Sequence, residues 1–239
     1  MGVAGKVIFW AVFFVAYTLQ AVTGFAGNVL AMPVGISTIG LTESISTLNI
    51  TGCLACGLVA VLGRRSIRWG EVARICAVML VFMALGVWLD MVISLDILRK
   101  AYALFIAAVS VKGLFFKGKG HAPRWAAYLA LAGAGVVQGM FVSGGALLVV
   151  YAMERLPQKD EFRSTLSAVW AVLNGIYAVY NAAMGHMTAE VGVVVAVCVP
   201  LFVLATLAGN VVYRRMTQAS FLKLTYAMLL VVAVVMLLT

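Results

Sequence analysis

One stretch limits what this chain can fold into more than any other: residues 20–33, Gln-Ala-Val-Thr-Gly-Phe-Ala-Gly-Asn-Val-Leu-Ala-Met-Pro, a glycine- and amide-bearing break between two apolar runs. It reads as a helix broken inside a membrane, and it occurs twice. Displaced by 118 positions, Gln20 falls on Gln138, Gly27 on Gly145, Leu30 on Leu148, Glu43 on Glu161, Ser46-Thr47-Leu48 on Ser164-Thr165-Leu166, and Pro33 on Tyr151. About eleven of the fifty pairs opened by positions 13–62 are identical, where a chain this biased in composition would give about four or five by chance. The unit is therefore duplicated. A glycine-interrupted hydrophobic segment recurring in both halves is the sequence pointer to a transporter's binding site.

Composition settles the solvent. Of 239 residues 64% are hydrophobic and 10% charged, more apolar surface than a soluble core hides. The apolar runs have the length of spanning helices, and no alternating ten-residue segments suggest a β-barrel. The fold class is all-α and polytopic. A net charge of +9 could point to nucleic acid, but the basic residues sit in short clusters between apolar runs, as in cytoplasmic loops. Lys6 and the apolar run behind it imitate a signal peptide, yet cleavage near Ala21 would remove Gln20 and strip the first repeat of a segment that the second keeps.

The predicted layout is two inverted repeats, each a broken-helix hairpin followed by three transmembrane helices. The first repeat takes 1–116, with a hairpin at 7–39 and helices at 43–62, 71–89 and 97–116. A linker at 117–124 leads to the second repeat, 125–239, with a hairpin at 125–153 and helices at 162–184, 188–213 and 220–238. If each hairpin returns to its side of origin, eleven basic residues share one compartment: Arg64, Arg65, Arg68, Lys117, Lys119, Arg124, Arg155, Lys159, Arg163, Arg214 and Arg215. The positive-inside rule makes that side cytoplasmic and puts both termini outside. An odd number of net crossings per repeat then inserts the repeats with opposite orientation. Polar, glycine-rich tips favour hairpins that stop at depth, against protein or water.

A helix N-terminus carries unpaired backbone N–H groups and about half a positive charge, so the return legs beginning near Asn28 and Ala146 offer a site for an anion. Gly24, Gly27, Gly144 and Gly145 let a ligand approach the backbone, while Thr23, Asn28 and Ser143 add donors and Gln20 and Gln138 close the site one to two turns before each tip. Close helix packing alone would also explain the glycines. On the helices after the hairpins, buried amides at Asn49 and Asn174 need partners, and the spacings of Thr165, Ser167, Trp170 and Asn174 place several of them on one face. Glu43 and Glu161 match at the mouths of the two repeats, as proton-coupling groups or, more blandly, as acids at helix starts. No lysine or arginine is expected at mid-membrane, so neutral donors must hold the anion.

Cys53 and Cys56 read as packing residues in an apolar helix, His121 and His186 lack metal spacing, and no cofactor motif is present. No Ser/His pair or paired mid-helix acids suggest an enzyme. The expected partners are a small anionic substrate and the lipid bilayer, with no nucleic acid and a homodimer left open.

The two breaks (Gly-Phe-Ala-Gly-Asn-Val-Leu-Ala-Met-Pro and Gly-Met-Phe-Val-Ser-Gly-Gly-Ala-Leu-Leu-Val-Val-Tyr), the basic loop Arg-Arg-Ser-Ile-Arg-Trp, and Phe-Arg-Ser-Thr-Leu after the second break resemble the TauE/SafE sulfite exporter family. The resemblance implies a multi-pass carrier of sulfite, sulfonates or related small sulfur oxyanions in a bacterial plasma membrane. This sequence departs from the family's three-glycine run, with Ala-Gly-Asn in the first repeat and Ser-Gly-Gly-Ala in the second, and Tyr151 replaces the second proline. An anion channel with the same site and a carrier of non-sulfur organic anions remain open readings.

Overall fold

A computed structural model describes residues 3–90, 104, 106–111, 114, 124–141 and 144–238. These residues are 91% helical and contain no strand, as a chain in hydrocarbon must be when each backbone N–H and C=O has to find a partner within its own segment. The helices are α1 (Val3–Thr23), α2 (Gly27–Ile39), α3 (Leu41–Leu62), α4 (Trp69–Asp90), α5 (Arg124–Phe141), α6 (Gly145–Arg155), α7 (Lys159–Ala183), α8 (Ala189–Arg215) and α9 (Gln218–Leu238). Residues 106–111 are helical as well; most of the helix expected at 97–116 and the tip residues Val142 and Ser143 lie outside the described residues. Among the described residues six helices, α1, α3, α4, α7, α8 and α9, are long and apolar enough to cross a membrane.

Both breaks fall where the glycines put them. Helix α1 ends at Thr23, Gly24 turns with φ 87°, and α2 starts at Gly27; α5 ends at Phe141 and α6 starts at Gly145. Displaced by 118 positions, the starts of α2 and α3 land on the starts of α6 and α7. The legs of each hairpin are unequal. At 1.5 Å per residue α1 is about 31 Å long and α5 about 27 Å, whereas α2 and α6 reach only about 20 and 16 Å. Set against a hydrocarbon core of about 30 Å, α1 can cross and both return legs stop short.

The described chain forms two compact units, and each draws on both halves of the sequence. One unit holds residues 1–68 and 163–216, the other 69–162 and 217–239. In the first, α1 lies along α8 and α2, and α2 and α8 both meet α3. Phe9, Phe13, Tyr17, Ala31, Leu48, Cys198 and Phe202 fill its core, with the Phe13 and Tyr17 rings stacked at 3.9 Å. In the second, α5 lies along α4 and α6. Glycines let α4 and α5 touch backbone to backbone: a Cβ on Gly86 would overlap the Val136 carbonyl, and one on Gly135 would lie 2.9 Å from the Met79 carbonyl oxygen. Such contacts matter in lipid, where apolar burial does not drive helices together and close van der Waals packing does. Val7, Val15, Val61, Leu129, Val179 and Leu204 are exposed, as lipid-facing side chains are.

Candidate functional site

At the first break, Gln20 folds back over the start of α2. Its Nε2 donates to Cys56 Sγ at 2.9 Å, and its amide oxygen fills the notch where Gly27 would carry a Cβ, so any larger residue at 27 would expel it. Gln138 does the same work at the second break, accepting from the Gly144 backbone N–H at 2.9 Å. The residues ahead of both return legs, Ala26 and Gly144, are in αR conformation and neither supplies a capping side chain. The first ladder bonds of the return legs run from the Leu30 N–H to Ala26 and from the Leu148 N–H to Gly144. The N–H groups of residues 27–29 and 145–147 therefore precede both ladders, as the orphan donors of a helix start do.

The two breaks differ in what surrounds them. In the first unit, Asn28 is half-buried at the start of α2 and its Oδ1 accepts from the Tyr17 hydroxyl at 2.9 Å. A Cβ on Gly52 would lie 2.8 Å from Asn174 Nδ2, 2.9 Å from Asn28 Nδ2 and 3.1 Å from Asn28 Oδ1, so both carboxamides converge on one bare Cα of α3, nitrogens nearest. From there a face of α7 runs back to the tip. Asn174, Trp170 and Ser167 are all buried, at the i, i+3, i+7 spacing of one helix face, and Ser167 Oγ lies 3.4 Å from the Cβ position of Gly24. The Ser167 hydroxyl and the Trp170 indole N–H have no hydrogen-bond partner among the described residues, and neither do the Ser46 and Thr47 hydroxyls on α3. Leaving a buried polar group unpaired costs about 1–3 kcal/mol. The Ser167 and Trp170 donors share one face of α7, where a polar ligand would bring the missing partners.

A cation is buried beside the first tip. Arg163, expected in a basic loop, lies on α7 and is 4% exposed. Its Nε donates to the Ala21 carbonyl at 2.6 Å, Nη1 donates to Asn210 Oδ1 at 3.3 Å, and the guanidinium covers the Tyr213 ring at 4.1 Å. A cation at the last turn of α1 opposes the negative end of that helix. Its backbone also sits against the tip: a Cβ on Gly24 would lie 2.9 Å from the Arg163 carbonyl oxygen.

The other expected residues separate into three groups. Thr23 is fully buried, but its hydroxyl donates back to Leu19 O at 2.8 Å within α1. Asn49 is buried on α3. Glu43 and Glu161 stand in the first turns of α3 and α7. Gln138, Gly144 and Gly145 belong to the second unit and are all buried, while Ser143 lies outside the described residues. Among the described residues, the second unit buries only Ser110 and Thr225 as further polar side chains, and both hydroxyls bond carbonyls of their own helices. A polar network lies at the far end of α6. There Glu71 of α4 accepts from the Tyr151 hydroxyl at 2.7 Å and pairs with Arg155 at 3.2 Å and with Arg74. The Glu71 hydrogen bond and charge raise the Arg155 guanidinium above its ordinary value, so Arg155 stays charged.

Sequence reasoning missed Tyr17, Gly52 and Arg163. Tyr17 hid in an apolar run, although it lies three residues before Gln20 and so on the same helix face. Gly52 carried one signal, since the displacement by 118 pairs it with Trp170.

Spanning-length apolar helices define a polytopic α-helical membrane protein, and two glycine breaks interrupt it. The family model for the sulfite exporter TauE/SafE matches residues 9–236, nearly the whole chain, and the protein belongs to that family. The family is one of membrane transporters of sulfite and sulfonates. Neither a curated protein nor a solved structure matches the chain.

Proposed function

We propose that this protein is a secondary transporter of a small sulfur-containing oxyanion, sulfite or a sulfonate, and that the anion is held at the first break. The observation carrying this reading is the buried, unpartnered Trp170 Nε1 and Ser167 Oγ, on the helix face that also brings Asn174 to Gly52 and Asn28. The uncapped N–H groups of α2 supply the electrostatic part, and the carboxamides of Asn28 and Asn174 supply further donors. Donors of this kind bind through hydrogen bonds rather than ion pairs, which suits a carrier that must also release its load. The two breaks belong to inverted repeats, a reading supported by helix limits that coincide under one displacement and by each hairpin's first leg packing on the fourth helix of the other repeat. Access alternates between the two faces of the membrane. Direction is outward: an inside-negative potential of about 100 mV favours anion exit by about 2.3 kcal/mol per charge, with no coupled ion required.

The test uses the purified protein. Sulfite and simple sulfonates are expected to raise its melting temperature, because a ligand that binds the folded state stabilises it, and plain carboxylates less so. Asn28→Leu is expected to abolish that shift while the protein still inserts. Counterflow in liposomes separates carrier from channel, since only a carrier moves labelled sulfite faster when unlabelled sulfite waits on the other side. Wild-type sulfite binding in Asn28→Leu would refute the site.

A further inference from the structure

Around Asn28 there are more close polar contacts than protons to fill them. The Tyr17 oxygen lies 2.9 Å from Asn28 Oδ1 and 2.8 Å from Thr51 Oγ1, and Thr51 Oγ1 lies 2.7 Å from the Thr47 carbonyl oxygen. Tyr17 is 1% and Thr51 0% exposed, so neither hydroxyl can turn to water instead. Each hydroxyl has one proton, and a carbonyl oxygen only accepts.

Two arrangements follow. In the first, Tyr17 donates to Asn28 Oδ1, and Thr51 turns from the Thr47 carbonyl to donate to Tyr17. The Asn28 NH2 group then faces Gly52 and Asn174, and the site presents donors. In the second, Thr51 donates to Thr47 O and Tyr17 donates to Thr51. Tyr17 can then only accept from Asn28, so the carboxamide turns over and its carbonyl oxygen faces the site. That arrangement fills all three contacts but places a partial negative charge where the first placed donors.

We propose that Tyr17 and Thr51 form a hydrogen-bond relay that sets which end of the Asn28 carboxamide faces the anion, so that the site alternates between holding an oxyanion and expelling it with no change in ionisation. The proposal rests on the first break being the anion site. Bound sulfite selects the donor-facing arrangement; once it leaves, the filled chain Asn28–Tyr17–Thr51–Thr47 re-forms. Tyr17 and Thr51 act through Asn28 and are positioning residues. The relay is confined to one repeat: displaced by 118, Tyr17, Asn28 and Thr51 fall on Gly135, Ala146 and Val169.

The two hydroxyls have opposite effects when removed, which a merely structural role would not produce. Tyr17→Phe keeps the ring stacked on Phe13 but frees the carboxamide. The Kd for sulfite, from thermal-shift titration of the full-length protein, is expected to rise about tenfold, the size of one lost hydrogen bond. Thr51→Val leaves the Tyr17 proton no acceptor of comparable closeness except Asn28. Its Kd for sulfite is expected to fall severalfold while sulfite counterflow slows, and Thr51→Ser, which restores the hydroxyl, returns both towards wild type. The melting temperature without sulfite reports folding; should Tyr17→Phe fail to fold, the Thr51→Val and Thr51→Ser pair decides alone. If Thr51→Val weakens sulfite binding or leaves it unchanged, the relay is overturned. If Asn28→Leu binds sulfite like wild type, the site itself is wrong; if Asn28→Leu loses binding and Thr51→Val does not tighten it, only the relay is.

Discussion

The two hairpins share a backbone and differ in chemistry. Both turn at glycine, both fold a glutamine back over the start of the return leg, and both begin that leg after an αR residue with no capping side chain. Around the first are Tyr17, Asn28, Thr51 and Gly52; the matching positions are Gly135, Ala146, Val169 and Trp170. In the second unit, Gly135 serves packing, since Met79 and Phe82 of α4 occupy the space where a side chain would stand. The same kind of break is lined by polar side chains in one unit and by close helix contacts in the other. Gly52 and Trp170, which the displacement pairs, lie in one unit: the first leaves room above α3, and the second brings an indole N–H to the same face of α7 as Asn174.

The sharpest way to break this comparison is at Arg163. Arg163→Met removes the cation from the Ala21 carbonyl, Asn210 and the Tyr213 ring, and each hydrogen bond lost from a charged group costs about 1.5–3 kcal/mol. A melting temperature in detergent close to wild type would mean the clamp on the first tip contributes nothing. Gly52→Ala comes next. The new Cβ must displace Asn28 or Asn174, so sulfite affinity is expected to drop by more than tenfold, with a much smaller change in the ligand-free melting temperature. Trp170→Phe keeps the ring and deletes one donor, for an expected loss of about 1.5 kcal/mol in sulfite binding measured by calorimetry. On the other side, Glu71→Gln loosens the Tyr151 and Arg155 contacts in the second unit. Stability is expected to fall by up to about 1 kcal/mol while the apparent KM for sulfite stays put; a raised KM would blur the division between the hairpins. The smallest effect belongs to Ser110→Ala, whose hydroxyl only bonds its own helix. Transport by this variant should match wild type within error.

Much of this fold was legible along the chain because hydrophobic length and glycine position are local properties. Apolar runs marked the described spanning helices to within four residues of their observed ends, and the self-match at 118 positions paired the breaks. The site was half legible. Asn28, Trp170 and Asn174 stood out because amides and indoles are costly in hydrocarbon wherever they sit, whereas Thr23, singled out as a donor, spends its hydroxyl on the Leu19 carbonyl of its own helix. Arg163 was misread because a basic residue beside Lys159 and Arg155 looks like a loop residue until a folded chain places a carbonyl, an amide and a ring around it.

The sequence by itself determined that this is a helical membrane protein, where its helices break, and that the break is duplicated, since each follows from residue type within a few turns. Only the tertiary structure decided that the donors gather at one break, that a buried arginine ties down its tip, and that Tyr17 bridges Asn28 and Thr51. Those facts depend on side chains between eleven and 146 positions apart in the chain meeting in space, and helix period and hydropathy carry no information over such separations.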